Sequence, residues 1–362
     1  MSRENLSLDG EWQFWTDKAG TLTHNTLSKP THRVAVPAPL QSQASDLHYY
    51  TGVSWYCREF DLPANWVEDS RAVVLHFGAV DYFADVWVNG QKAGAHEGGY
   101  TPFEFDIAGM AKAGKNEVVV RVADEQDYFP EIPHGKQSWY GPLSGLWQSV
   151  SVSSRPAQHI RSLRITPAGE NVNVVASLSQ PLAEDQSIAL EVIDPDGNVV
   201  ASVESKSPRN DVHVPAPKLW DIETPHLYTL RATLNGDTVE DTFGFRTVET
   251  KDGQLLLSGR PIYLRSALDQ DYYPDLVCTP PSLEYIEKQF LQAKHMGLNN
   301  LRIHIKVGDP RYYKAADKVG LLIWTEMPNW QLLTKNTRRR ARETFDAMIE
   351  RDWNRPSIII RT

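Results

Sequence analysis

The hydrophobic pattern of the chain changes near residue 249, and this change most constrains the fold. Before it, short runs alternate apolar and polar residues and are separated by turn residues, which is typical of antiparallel strands. After it, apolar strands alternate with helical segments, which indicates βαβ units and a parallel sheet. Residues 249–362 number 114, whereas a complete (β/α)8 barrel takes at least about 200 residues. The sequence therefore predicts a β region followed by a truncated, half barrel with four strands.

The region before residue 249 divides into two predicted β-sandwiches. Residues 1–155 include the strand run Ala72–Val80 and a hairpin over Phe83–Gly94. Asn89-Gly90 within that hairpin is the strongest short turn signal, because both residue types tolerate positive φ. We expect a jelly roll over 1–155 and an immunoglobulin-like sandwich over 156–248.

Helix start and stop signals divide the region from 249 to 362. Ser282 precedes a helical pattern that ends at Gly297, and a second helical pattern ends at Gly320. A third helix is predicted within Thr334–Asn354. The four predicted strands are PIYLRSAL, LNNLRIHI, LLIWTEM and SIIIRT.

Charge and composition limit the classes of partner. The net charge is −9, which argues against nucleic acid and anionic membrane surfaces as partners. No apolar stretch reaches about 18 residues, so no membrane-spanning helix is expected. The N-terminus carries no signal-peptide pattern, so we expect a cytoplasmic protein. The His, Cys, Asp and Glu residues show no metal-ligand spacing, and no metal or other cofactor is expected.

Eight motifs follow one another along nearly the whole chain. They are LDGEWQF (Leu8–Phe14), GVSWYCREF (Gly52–Phe60), VWVNGQKAGAHEGGYTPFEFDI (Val86–Ile107), GKQSWYGPLSGLWQSV (Gly135–Val150), LWDIETPHLYTL (Leu219–Leu230), FGFRTVE (Phe243–Glu249), LRIH (Leu301–His304) and DPRYYKAADKVGLLIWTEMP (Asp309–Pro328). Together they resemble glycoside hydrolase family 2, the family of β-galactosidases, β-glucuronidases and β-mannosidases. The resemblance implies a retaining β-glycosidase, hydrolysing O-glycosyl bonds in carbohydrate metabolism.

The resemblance also implies two glutamates that the present sequence does not reach. A retaining glycosidase uses two carboxyl groups about 5–5.5 Å apart, one as acid/base and one as nucleophile. In the family these are glutamates after barrel strands four and seven. Because the sequence ends at Thr362, within the predicted strand four, we expect the chain to lack both. A non-catalytic carbohydrate-binding protein is one alternative.

Candidate binding residues stand at the predicted ends of the barrel strands and in one loop of the first sandwich. Function in such barrels lies at the carboxyl ends of the strands. The resemblance places Asp269, Arg302, His304 and Glu326 around the scissile sugar. The substrate-binding candidates are Arg265, Asp269, Arg302, His304, Glu326 and Trp330, with Lys136, Gln137 and Trp139 from the loop.

A second hydrolase reading uses a serine. Ser266 as nucleophile, His304 as base and Asp269 or Asp309 as the orienting acid are all predicted near strand ends, so an esterase-like site is an alternative. No G-x-S-x-G motif accompanies Ser266.

The incomplete barrel also suggests an oligomer. An open half-barrel exposes strand edges and an apolar face. We expect two copies to pair these faces as a homodimer, with a carbohydrate or small molecule as substrate.

Overall fold

Six β-sheets and four α-helices make up the computed structural model, which describes residues 2–68, 71–124 and 129–362. Two pairs of antiparallel sheets come first along the chain, a small three-stranded sheet follows, and a parallel sheet comes last. Each of the larger units has its own hydrophobic cluster. The predicted succession of antiparallel strands and then strand–helix alternation is therefore present.

The first sandwich consists of a four-stranded and a six-stranded sheet, in the orders β1-β10-β5-β8 and β3-β2-β4-β9-β6-β7. Its strands are β1 (Glu4–Ser7), β2 (Gly10–Asp17), β3 (His32–Val36), β4 (Gly52–Leu62), β5 (Arg71–Phe77), β6 (Phe83–Val88), β7 (Gln91–Glu97), β8 (Phe103–Asp106), β9 (Gly114–Asp124) and β10 (Val150–Pro156). A short helix, α1 (Gln137–Tyr140), lies in the loop before β10. The predicted hairpin is confirmed, because β6 pairs with β7 and both Asn89 and Gly90 have positive φ, at 50° and 78°.

The second sandwich packs a three-stranded sheet, β11-β12-β15, against a four-stranded sheet, β14-β13-β16-β17. The strands are β11 (Ile160–Ala168), β12 (Asn171–Leu178), β13 (Ile188–Ile193), β14 (Val199–Ser205), β15 (Arg209–His213), β16 (Tyr228–Leu234) and β17 (Asp237–Phe243). Alternate residues of β13 and β16 are fully buried, as expected where one face of a sheet forms the core. A separate antiparallel sheet follows, formed by β18 (Val248–Lys251), β19 (Gln254–Leu257) and β20 (Arg260–Ile262).

The last unit is a parallel sheet whose strands lie side by side in chain order. It contains β21 (Ser266–Asp269), α2 (Leu283–His295), β22 (Asn300–Ile303), α3 (Pro310–Val319), β23 (Leu322–Thr325), α4 (Lys335–Arg351) and β24 (Ile358–Arg361). The predicted helix signals operate as expected, since the Ser282 hydroxyl accepts a hydrogen bond from the Tyr285 amide and α3 ends at Gly320 with φ 71°. The predicted strand PIYLRSAL is corrected: it divides into β20 and β21, which belong to different sheets.

One face of the parallel sheet packs on its helices, and the other is partly open. Ala267, Ile303 and Ile323 join the cluster under α2 and α3. On the other face, Leu268, Arg302, Trp324 and Ile360 stand in one row, because each is the register partner of the next. We call this row the open face; Leu268 is 49% exposed on it. The predicted homodimer through this face stays a prediction.

Helix α4 and the residues just after it join all three larger units. Met348 packs in a cluster with Tyr100 and Trp147 of the first sandwich. The Asn354 amide donates to the Asp241 carboxylate at 2.7 Å, in β17 of the second sandwich. Near the other end of α4, the Arg340 guanidinium pairs with Glu97 of β7.

Candidate functional site

An arginine–glutamate pair lies at the carboxyl edge of the parallel sheet. Arg302 in β22 donates from Nε to Glu326 Oε1 at 2.6 Å, and the Ile305 amide donates to Glu326 Oε2 at 2.8 Å. The Arg302 guanidinium also lies 4.7 Å from the centre of the Trp324 ring. The side chain of Glu326 is 6% exposed, whereas that of Arg302 is 36% exposed. The pair therefore presents a fixed, solvent-facing guanidinium at this edge.

Asp269 and His304 lie beside this pair. The His304 amide donates to the Asp269 carbonyl at 3.0 Å, and Tyr312 donates from its hydroxyl to Asp269 Oδ2 at 2.8 Å. The Nδ1 atom of His304 is buried and has no hydrogen-bond partner among the described residues. Burial, and then the charges of Lys136 and Arg302, lower the pKa of His304, while Glu326 opposes them. The neutral form of His304 is therefore favoured, and its buried Nδ1 atom is left without a partner at this edge.

A loop of the first sandwich closes one side of the edge. The amides of His134 and Gly135 both donate to the Asn329 carbonyl, at 3.0 and 3.1 Å. A Cβ atom on Gly135 would lie 2.4 Å from the Ile305 carbonyl oxygen, so only glycine fits there. Ile305 itself has φ 47°, which is strained for a β-branched residue. Such strain persists only where surrounding contacts enforce it, and here they fix the turn that follows β22.

A buried ion pair stabilises the carboxyl edge of the parallel sheet. Lys306 donates from Nζ to Asp271 Oδ2 at 2.6 Å, and both side chains are almost fully buried. Tyr273 donates to the same carboxylate at 2.7 Å. Burial raises the pKa of Asp271 to about 6, although Lys306 opposes the shift. Because the Asp271 amide donates to Asp269 Oδ1 at 2.7 Å, this pair also positions Asp269.

Two predicted site residues lie at the opposite end of the sheet. Ser266 begins β21, pairs in register with Asn300 and hydrogen-bonds to its side chain. Asp269 is the last residue of the same strand, and successive strand residues advance about 3.3 Å. The predicted Ser266–His304–Asp269 arrangement is therefore corrected, because Ser266 does not lie at the edge that holds His304. Arg265 precedes Ser266 and donates to the Gly297 carbonyl at the end of α2, so the same correction applies to it.

The predicted loop residues separate into two groups. The Gln137 side chain is buried and fully engaged, donating to Asp81 Oδ2 at 2.7 Å and accepting from the Leu143 amide at 3.0 Å. Its amide is therefore not available to a sugar, which corrects that part of the prediction. Lys136 acts electrostatically on His304, and Trp139 is 68% exposed. Trp330 is half-buried and follows Asn329, which contacts this loop.

The sequence reasoning missed several residues that shape the edge. The position of Asp269 is fixed by Tyr312, Lys306 and Asp271. Gly135 leaves room for the Ile305 carbonyl in its strained turn. The one local signal was the run HIKVGDP after β22, in which Lys306 stands between the apolar residues Ile305 and Val307. A buried lysine needs a partner, but nothing local indicates that Asp271 supplies it.

Within residues 2–68, 71–124 and 129–362, no group of three or more His, Cys, Asp or Glu side chains could hold a metal ion. No helix in those same ranges is long and apolar enough to cross a membrane.

Two β-sandwiches joined to a parallel strand–helix unit with a polar carboxyl edge define a multidomain β protein of the glycoside hydrolase type. The family model "Glycosyl hydrolases family 2, sugar binding domain" matches residues 20–156, and the model "Glycosyl hydrolases family 2" matches residues 158–246. These matches cover more than half of the chain. The chain belongs to glycosyl hydrolases family 2.

Relatives and solved structures agree with this assignment. A putative β-glucuronidase of Formosa agariphila is 32% identical over 344 residues, which are 88% of this chain and 40% of the relative. A β-galactosidase of Thermoanaerobacter pseudethanolicus is 26% identical over 99% of this chain and 51% of its own length. The β-glucuronidase of Ruminococcus gnavus in complex with D-glucuronic acid matches with a TM-score of 0.87 and 26% identity, over 99% of this chain and 66% of that one. The chain thus spans about half the length of these two curated relatives.

Proposed function

We propose that this chain binds the sugar of a β-glycoside at the carboxyl edge of its parallel sheet, in the service of retaining O-glycosyl hydrolysis. The observation that carries the proposal is the fixed Arg302–Glu326 pair beside His304, within reach of the Lys136 loop. Membership of glycosyl hydrolases family 2 supports the substrate class.

We also propose the finer form of the fold: a jelly roll, an immunoglobulin-like sandwich and the first half of a (β/α)8 barrel. The side-by-side order β21-β22-β23-β24, parallel throughout, supports the half-barrel, because barrel strands follow chain order. In such barrels, sites lie at the carboxyl ends of the strands, which is where Asp269, Arg302, His304 and Glu326 lie.

The chemistry of each group suits a sugar. Arg302 offers fixed donors to a hydroxyl or carboxylate oxygen. His304, whose neutral form is favoured, can offer an acceptor or donor nitrogen without the cost of desolvating a charge. Trp139, exposed beside Tyr140, offers a flat apolar face on which a sugar ring can lie.

Neither carboxylate at this edge is proposed as the acid/base or the nucleophile. Glu326 accepts from Arg302 and the Ile305 amide, and Asp269 accepts from Tyr312 and the Asp271 amide. Retaining hydrolysis needs two carboxyl groups free to act on the anomeric centre. We therefore expect the 362-residue chain to bind glycosides without measurable turnover.

Calorimetric titration with p-nitrophenyl β-D-glucuronide and with p-nitrophenyl β-D-galactoside tests the proposal, with p-nitrophenol release read in the same samples. We expect saturable heat with one of the two and at least about fivefold weaker binding in His304→Ala, since a lost hydrogen bond to a ligand is worth about 1 kcal/mol or more. His295→Ala, at the exposed end of α2, is the matched control and should bind as the parent does. Absence of heat with both glycosides would refute the binding proposal.

A further inference from the structure

A cavity of about 220 Å³ lies between the second sandwich and the segment that follows α4, and it shares no lining residue with the candidate site. Its wall includes Arg246, Arg355 and Arg361, with Trp353 and Phe243 as apolar neighbours. No Asp or Glu is among the described residues that line it. Three guanidinium groups and no carboxylate on one wall is an unusual charge distribution for a protein of net charge −9.

Among the described residues, two of the three arginines form no ion pair with a carboxylate. Arg246 donates from Nε to the Pro356 carbonyl and from Nη2 to the Ile358 carbonyl, both at 3.0 Å. Arg361 donates from Nη2 to the Asp352 carbonyl at 3.1 Å, and its buried Nε atom has no hydrogen-bond partner among the described residues. Carbonyl oxygens satisfy N–H groups but do not neutralise the charge, so each charge is offset only through space, by Asp317 for Arg246 and by Asp352 for Arg361.

The nearby carboxylates are engaged with other arginines. Asp317 accepts from Arg355 Nη1 at 3.1 Å, and Asp241 pairs with the same guanidinium. Asp352 accepts from Arg351 at 2.6 Å. Burial and the proximity of Arg361 lower the pKa of Arg246, although Asp317 opposes them. An arginine side chain stays protonated in a protein, so the unfavourable charge remains unless an anion offsets it.

We propose that this cavity binds a small oxyanion, of the size and charge of inorganic phosphate, between Arg246 and Arg361. A volume of about 220 Å³ exceeds the roughly 30 Å³ of one water several times, and it is smaller than the roughly 300–1,000 Å³ of pockets for drug-sized ligands. The planar guanidinium fork matches the paired oxygens of such an anion. The site does not depend on the proposed sugar site.

The position of the cavity gives binding a structural consequence. Arg246 follows β17 of the second sandwich, whereas Arg361 ends β24 of the parallel sheet. An anion held by both side chains joins the two units. Because it binds the folded chain, it must raise the free energy of unfolding by RT ln(1 + [anion]/Kd).

The test is calorimetric titration of the full chain with sodium phosphate, at an ionic strength held constant with sodium chloride, together with thermal unfolding at each phosphate concentration. Parallel titrations use sodium sulfate and sodium glucuronate. We expect saturable phosphate binding and a midpoint of unfolding that rises with phosphate. Arg361→Met should bind phosphate at least about tenfold more weakly, because charged hydrogen bonds contribute about 1.5–3 kcal/mol.

Arg342→Met is the matched control, since Arg342 lies on α4 with its side chain 85% exposed. It should bind phosphate as the parent does. Equal affinity in the parent and in Arg361→Met would overturn the proposal. The proposal would also be overturned if the parent responded to phosphate no more than to chloride, or if it bound glucuronate but not phosphate. Both results come from the parent, so they do not depend on the folding of a variant.

Discussion

At the scale of single residues, two buried carboxyl groups face each other behind the Lys136 loop. Asp81 and Asp124 are 4% and 3% exposed, and Gln137 donates to Asp81. Burial raises the pKa of Asp124 to about 7, and burial together with Asp124 raises the pKa of Asp81 well above its usual value. The folded chain is therefore more stable when this pair is protonated and less stable when both carboxyl groups ionise.

We expect Asp124→Asn to gain stability relative to the parent as the pH rises. The folded-state pKa of Asp124 lies above that of the unfolded chain, so its contribution is full below about pH 4 and is lost as the pH rises to about 7. Asn cannot ionise, so the free energy of unfolding of the variant should improve on the parent's by roughly 2–4 kcal/mol between about pH 4 and pH 8. Urea denaturation across this range measures the difference, and exposed Asp61→Asn serves as control. A difference that does not change with pH would contradict the buried pair.

At the scale of secondary structure, the turn of the β6–β7 hairpin requires a positive φ at Gly90. Gly90 has φ 78°, and a Cβ atom there would meet nothing within 4 Å. Gly90→Ala should therefore lower the free energy of unfolding by about 1–2 kcal/mol, which is the cost of a left-handed alanine. Gly109→Ala is the matched control, because Gly109 also has open space and lacks the positive φ. Equal urea midpoints for the two variants would show that the turn carries no strain.

Elements that begin or end at a local sequence signal were predictable from the sequence, whereas features set by residues far along the chain were not. The Ser282 cap and the Gly320 stop are local, and α2 and α3 follow them. The break of PIYLRSAL into β20 and β21 is not local, because it depends on pairing with Leu257 on one side and Asn300 on the other. Ser266 lies at the amino end of β21 for the same reason, because pairing with the neighbouring strand fixes the register of β21. The burial of Gln137 depends on Asp81, 56 positions away.

At the scale of the whole molecule, one hydrophobic cluster joins the first sandwich to the parallel unit. Met348 is fully buried in it against residues of both units. Met348→Ala should lower the free energy of unfolding by about 2–5 kcal/mol, and both units should unfold together at a lower temperature. Met296→Ala, 73% exposed after α2, is the control. Differential scanning calorimetry in which only one transition moves would contradict this coupling.

The contacts of α4 also limit how such a chain can recombine. Glu350 on α4 pairs with Arg164 of β11, Asn354 binds Asp241 of β17, and Arg340 binds Glu97 of β7. Each contact joins side chains from units far apart in the sequence. If one sandwich were replaced by that of a relative, its side chains would not match their partners on α4 and in the residues just after it. The three units therefore have to be inherited and altered together, despite their separate cores.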